Sequence, residues 1–312
     1  MQKEFKTYQE QIEILKSRGL KFKDEAAAKE HLKRENYYNI INGYKDLFLK
    51  PNILPEEFKE GVYFEEIYSL YKFDRSFRNI LMKKILIFEN SFKAIIAYEF
   101  SNKYGYKNYL NSDNFNQANI RNKKSGIKLI GDIHGDINRQ LDKDNSLNHY
   151  LDIHGYIPLW VLIKIFTLGR VNSFYINMKD SDKNKIAKEL AINYPLDSES
   201  IIKYSKLIAL FRNLCAHEER MYNFKSLNDK KNPINLPLTS FHKKLGITGN
   251  RNGLFDVIIC LKYLLNPNDF SILFDRLEDL IDTLSIDIKS ISINNILLEM
   301  NFPKNWKLII II

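Results

Sequence analysis

Along most of the chain the apolar positions return every three or four residues, the period of a helix with one buried side. "YQEQIEILKSRG" (8–19) has this spacing and closes on Gly19, a residue suited to the position after a helix end. "DEAAAKEHLKREN" (24–36) follows, with Asp24 placed to cap it. "YYNIINGYKDLFL" (37–49) is rich in aromatics and reads as a short helix that stops before Pro51. Residues 63–105 then run without proline at helical period, as one very long helix or two with a bend. The pattern breaks over 106–157, where Asn, Asp, Gly and Lys cluster and predict a largely loop-like insertion. It returns at Pro158, a favoured first-turn residue, and continues to Met178. Further helices are expected over 181–194 and 198–222, the second with a serine-based N-cap. A polar loop over 225–250 and helices over 254–266 and 270–287 complete the pattern.

The expected architecture is therefore all-α, one mainly helical domain over 1–312. N-terminal helices fill 1–60, a core with the 106–157 insertion fills 61–265, and C-terminal helices fill 266–312. A content of 45% hydrophobic residues supports a substantial core, and only 12 Gly and 8 Pro leave few turns for a many-stranded sandwich. The aromatics of 37–48 and 63–73, with Trp160 and Trp306, read as core packing. Asp74, Arg75 and Glu89 could form a buried ion-pair network bracing the bundle.

The formal charge is +9, which favours polyanionic partners: RNA, DNA or an anionic membrane surface. Lysine-rich stretches, Arg121, Lys123 and Lys124 in "RNKKSG" and Lys243 and Lys244 in "FHKKLG", are candidate RNA-backbone contacts on loops. The two cysteines, Cys215 and Cys260, make no disulfide framework and suit a reducing cytosol. The N-terminal segment lacks a signal-peptide core. The apolar tail "WKLIIII" (306–312) is far short of the ~20 residues a bilayer span needs. A soluble cytoplasmic protein is expected, with no membrane partner.

Two stretches carry chemistry. "LIGDIHGD" (129–136) looks like the first metal-binding motif of calcineurin-type metallophosphoesterases, in which an Asp and a His end a buried strand. The companion motifs are missing, and "TGNRNG" (248–253) lacks the required histidine. A two-metal site cannot come from one motif. Asp132, His134 and Asp136 are therefore expected on a solvated loop. A smaller metal site from Asp132, His134, His149 and His154 lacks tight spacing, so no metal and no cofactor is expected.

"FRNLCAHEERMYNF" (211–224) is the other. On a helix Asn213 and His217 share a face that Arg220 extends, while Arg212 lies about 140° from His217 and must bend round to share a pocket. RNA carries its own nucleophile, the 2′-OH. Cleavage needs proton transfer, which suits histidine, and positive charge on the phosphorane, which suits arginine. One histidine per chain is thin for both proton transfers, so a two-fold dimer that joins two copies is natural.

"RNLCAHEERMYN" resembles the motif of Abi-like abortive-infection proteins of the AbiD/AbiF kind, members of the HEPN superfamily with its R-x4–6-H signature. The likeness extends to "YYNIINGYKDLF" (37–48), to the long 62–105 segment, to "HYLDIHGYIPLW" with the following Leu-Gly block (149–178), and to "NFPKNW" (301–306). It implies a HEPN-type bundle and a metal-independent endoribonuclease of phage defence or a toxin–antitoxin pair. Arg212 and His217 carry over as catalytic, with Asn213, Glu218 and Arg220 in support. The implied partners are RNA, including a small structured inhibitory RNA, and a second copy in a homodimer or higher even-numbered oligomer. Such proteins are similar to the nuclease halves of type VI CRISPR effectors. Glu218 stands where the family often has a second histidine, Lys164 where it often has glutamate, and Lys83 where a histidine would complete a second motif from Arg78. The alternative to an enzyme is a catalytically weak RNA-binding module that holds a structured small RNA.

Overall fold

The structure, a computed structural model, describes residues 4–141, 143–191, 193–228 and 233–312. Asp142 of the expected insertion, Ile192 of the 181–194 helix and residues 229–232 of the 225–250 loop lie outside the described residues. Among the described residues there is no strand or sheet, and the fold is all-α. Helices α1 (Tyr8–Ser17) and α2 (Glu25–Glu35) lead into a wide turn over Tyr38–Asn42 and a tight one over Asp46–Phe48. The first turn sits inside a continuous helical stretch over 37–44, so the short helix expected over 37–49 is present, but wider than an α-helix at its centre and followed by a separate tight turn. Thr7 caps α1 and Asp24 caps α2, each side chain accepting from a first-turn N–H. Gly19, at φ +90°, takes the left-handed position after α1.

The expected long segment is one helix, α3 (Phe64–Tyr104), 41 residues and so about 60 Å long. It ends at Gly105, where φ is +87°. The helices α8 (Asp180–Leu190), α9 (Ser198–Ala216) and α12 (Pro267–Asp287) pack along it. Also against α3 lie the short α6 (Leu159–Leu162), α7 (Leu168–Asn177) and α11 (Leu254–Leu264). Phe92 and Phe100 of α3 meet Phe115, Phe174 and Tyr175 in a fully buried aromatic core, with Phe88 stacked on Phe92. The remaining elements are α10 (Ser240–Lys244), α13 (Ile293–Glu299) and a tight C-terminal turn that buries Trp306, as expected of a packing residue.

The 106–157 stretch differs from its reading as a loop. It contains α4 (Ile120–Gln140) and α5 (Asn145–His154). Asn119 caps α4, and Gly126, Leu129 and Ile133 form its buried stripe against α7. Asp132 and Asp136, one turn apart, both grip Arg170 of α7, at 2.6 Å to its Nη1 and 2.6 Å to its Nε. His134 is exposed and lies about 200° round the helix from Asp132, so the two side chains diverge. The carboxylates of "LIGDIHGD" thus clamp two helices together and stand on a helix, where the metallophosphoesterase motif calls for a strand end.

At its N-terminus α3 is tied to the segment after α12 by one carboxylate. Burial opposes charge on Glu66, but N–H groups of Tyr63, Lys289 and Ser290 donate to it and hold its pKa below the ordinary 4.5. A depressed folded pKa contributes stability above 4.5, lost as pH falls through the lower folded value. Glu66→Gln should cost about 1–3 kcal/mol at pH 7, because a buried N–H loses its acceptor. The gap from wild type should narrow towards pH 3. Urea denaturation at both pH values checks this, and an equal gap at both would refute the assignment.

Candidate active site

Helix α9 begins at Asp197, whose carboxylate accepts from Ser200 N at 2.7 Å. This aspartate caps the helix in place of the serine expected from the sequence. Ile201, Tyr204, Leu207, Ile208, Phe211 and Leu214 form its buried face. The helix stops at Ala216, six residues before the expected end at Tyr222, and His217 is its C-cap. His217 N still donates to Asn213 O (3.0 Å), Glu218 N to Cys215 O and Glu219 N to Leu214 O, a closed Schellman turn. Glu218 occupies the left-handed position of that turn, at φ +54°, where glycine is the usual residue. Arg220 therefore lies beyond the helix, and it does not extend the Asn213/His217 stripe. It reaches across instead to Gly43 O at 2.5 Å and approaches Asp46.

A buried carboxylate fixes the returning loop. Asp74 of α3, fully buried, accepts from Met221 N (3.0 Å), Tyr44 Oη (2.6 Å) and Arg78 Nη1 (2.7 Å). Tyr222 stacks on the Tyr44 ring, 5.5 Å between centroids. The expected Asp74/Arg75/Glu89 network is thus distributed differently. Asp74 pairs with Arg78, Arg75 pairs with Glu35 at 2.8 Å, and Glu89 pairs with Lys93 at 2.7 Å.

Between the Tyr38–Tyr44 segment, α3 and the motif turn lies a polar cleft of about 610 Å³. His217, Glu218 and Arg220 line it with Tyr71, Arg78 and Tyr44. The His217 ring is exposed, and among the described residues its side chain has no hydrogen bond or ion pair. Arg212 is not among the lining residues. Its Nε lies 3.8 Å from Glu89 Oε2, a contact short of a hydrogen bond, and it forms none with any other described residue. The expectation that Arg212 bends round to share a pocket with His217 fails within one chain. The helix sets the two about 140° apart, and the buried Glu89 carboxylate draws the guanidinium the other way. Burial pushes the Cys215 thiol up to about 12, so it is no nucleophile near neutral pH. The Tyr71 hydroxyl is likewise raised to about 12, by burial and by its bond to Glu35.

A family profile described as "Abi-like protein" matches residues 30–223, more than half of the 312 residues. The chain belongs to the Abi-like family. The matched region of this Abi-like protein takes in the second half of α2, the Tyr38–Tyr44 turn, α3 and the motif turn, and so every wall of the His217 cleft except Phe224. No curated protein and no solved structure gives a match.

The basic candidates lie elsewhere. Arg121, Lys123 and Lys124 are in the first five residues of α4, not on a loop, and Lys243 and Lys244 are on α10. None lines the His217 cleft. Asn213 is exposed on α9. The residues that sequence reasoning missed are Tyr44 and Arg78. The four-residue spacing of Asp74 and Arg78 on a helix was the available signal.

Two substitutions separate scaffold from chemistry. Asp74→Ala strips a buried ion pair of one partner and should cost about 3–5 kcal/mol. A loss below ~1 kcal/mol in urea titration, the range of a surface pair, would mean the loop is held by something else. Glu218→Gly should leave stability unchanged or raise it by about 1 kcal/mol, because glycine accepts the left-handed backbone without strain. A clear drop in melting temperature would show that the Glu218 side chain is itself part of the packing.

Proposed function

We propose that this Abi-like protein is a metal-independent endoribonuclease of the HEPN superfamily, AbiD/AbiF type, acting in abortive infection or as a toxin held by an antitoxin. The observation that carries the reading is the motif turn itself. It presents an unpartnered, solvent-exposed histidine at the mouth of a polar cleft, five residues from an arginine whose terminal N–H groups are uncommitted. The substrate 2′-OH attacks the adjacent phosphorus as His217 takes its proton. The guanidinium of Arg212 neutralises the phosphorane oxygens. A proton returns to the departing 5′-oxygen, giving a 2′,3′-cyclic phosphate and a 5′-OH.

The separation of Arg212 from the His217 cleft bears on assembly. A two-fold dimer that sets α9 of each copy against the other supplies the arginine of one chain to the histidine of its partner. It also brings two histidines to one phosphate, which provides both the base and the acid. The same separation favours one alternative: in a lone chain the two groups do not converge, and such a chain would act as an RNA-binding module that holds a structured small RNA.

His217→Ala should lower RNA cleavage by about 10²–10⁴-fold and Arg212→Ala by about 10²–10³-fold, with melting temperatures unchanged. Light scattering of the active species should give an even number of chains, and a chelator should leave the rate unaltered. Full cleavage by either variant at matched concentration removes the assignment. A monomer whose cleavage rate per chain is independent of concentration removes the shared site. Co-purifying RNA without any cleavage favours the binding module.

A further inference from the structure

A second, larger groove lies further along α3, where Asn90 to Asn102 form one of its walls. It holds about 780 Å³, within the range of roughly 300–1,000 Å³ typical of ligand sites. Ala94 and Ala97 form part of its lining, and Tyr98, Tyr106 and Trp160 contribute rings. Trp160, expected as a packing residue, is 49% exposed, and Tyr98 is 69% exposed. Tyr106 lies 5.6 Å from the Trp160 ring and 5.3 Å from Tyr156, so the aromatic surface is continuous. The charged groups lining the groove are two lysines, Lys93 and Lys164, and no carboxylate lines it. Lys164 is exposed and has no ion-pair partner among the described residues.

We propose that this groove binds a single-stranded stretch of the RNA substrate, its bases stacked on Trp160 and Tyr98 and its phosphates held by Lys93 and Lys164. Flat exposed rings beside the unpaired ammonium of Lys164 and the Glu89-paired one of Lys93 suit unpaired nucleotides, which offer a π-face and a negative charge at each step. A duplex hides its base faces and gains nothing from the rings. The cationic lining, on a chain of charge +9, selects a polyanion over an apolar peptide.

Position ties the groove to cleavage. Lys93 Nζ contacts one oxygen of Glu89, at 2.7 Å, and Arg212 Nε approaches the other, at 3.8 Å. One turn of α3, about 6 Å, therefore separates the lysine at the groove's edge from the contact point of the arginine. A strand leaving the groove past Lys93 arrives at Arg212. The proposal rests on the endoribonuclease reading for its substrate, but its binding step is measured apart from cleavage.

The test uses full-length His217→Ala protein, so that the RNA stays intact, and a labelled oligouridylate of about ten nucleotides, a length that spans such a site. Fluorescence anisotropy should show binding that falls with salt, and a blunt duplex of equal length should bind much more weakly. Adding Trp160→Ala or Tyr98→Ala should weaken binding about 10-fold, the effect of losing one stacked base. Trp160→Phe should keep most of the affinity, which controls for damage to the fold. Lys164→Glu should weaken binding and flatten its salt dependence. Absence of binding, equal binding of the duplex, or unchanged affinity in Trp160→Ala and Lys164→Glu would overturn the proposal. So would competition by inorganic polyphosphate as effective as by oligouridylate, since charge alone would then suffice. If the groove variants lose binding while Arg212→Ala and His217→Ala still cleave, the groove stands and the catalytic assignment falls. If cleavage needs that pair but is indifferent to the groove, the reverse holds.

Discussion

The position of the motif turn depends on one buried carboxylate. Asp74 is fully enclosed, and burial pushes its pKa up. Its charge is held by the Arg78 guanidinium, the Met221 N–H and the Tyr44 hydroxyl, three donors from α3 itself, the motif turn and the Tyr38–Tyr44 segment. A buried ion pair adds little stability over a well-packed apolar substitute, but it accepts few alternative geometries. An apolar contact at this point could slide, whereas a carboxylate with three aligned donors cannot. The backbone returning from α9 is therefore fixed four residues after His217, and the cleft wall opposite is fixed by the same atom.

Helix α3 then acts as a ruler for everything around the site. The chain from the end of α9 into the motif turn runs opposite to it: Arg212 meets Glu89, while Met221 meets Asp74 fifteen residues earlier on α3. Tyr71 and Arg78 carry the histidine's cleft, and Asn90 to Asn102 carry the aromatic groove. Arginine and histidine thus serve different stretches of one long surface. Within α9 the two are fixed about 140° apart, so the helix itself cannot bring them together. The proposed cleavage therefore requires a second copy or the substrate to bring the two groups together, which makes assembly state part of that proposal.

The helical period made most of the fold legible in the sequence, because a chain with one shared core must return an apolar residue at each turn of every helix. It failed at α4 for a composition reason. Gly126, Gly131 and Gly135 with the surrounding Asn and Asp lower helix propensity and imitate a loop. The stripe of Gly126, Leu129 and Ile133 was nonetheless present, and its burial against α7 outweighs the propensity deficit. The early end of α9 was illegible for a different reason. Met221 and Tyr222 keep the helical spacing and are buried, but they pack from a turn that Glu218 forces into a left-handed backbone. Propensity gives no warning of glutamate in that role. The Arg212/His217 pair could be read directly, but the distance between the two groups could not, since Glu89 reaches Arg212 from a helix more than a hundred residues away in sequence.

Charge shows the same limit of local reading. The lysine clusters of 121–124 and 243–244 drew notice because they are adjacent in sequence. On α4 and α10 these side chains are exposed, where salt screens their field. Lys164 is a single residue in an apolar run, "LWVLIKIF", and nothing nearby in sequence marks it. The fold makes it distinctive by setting it in the lining of one groove with Trp160 and Tyr98, where no carboxylate lines the wall. Against a low-dielectric aromatic wall, one unpaired cation exerts a stronger and less screened pull on a phosphate than several in open water. On the proposed reading, the basic surface that matters is marked by Lys164, which has no paired acid among the described residues, and by the flat rings that line the same groove.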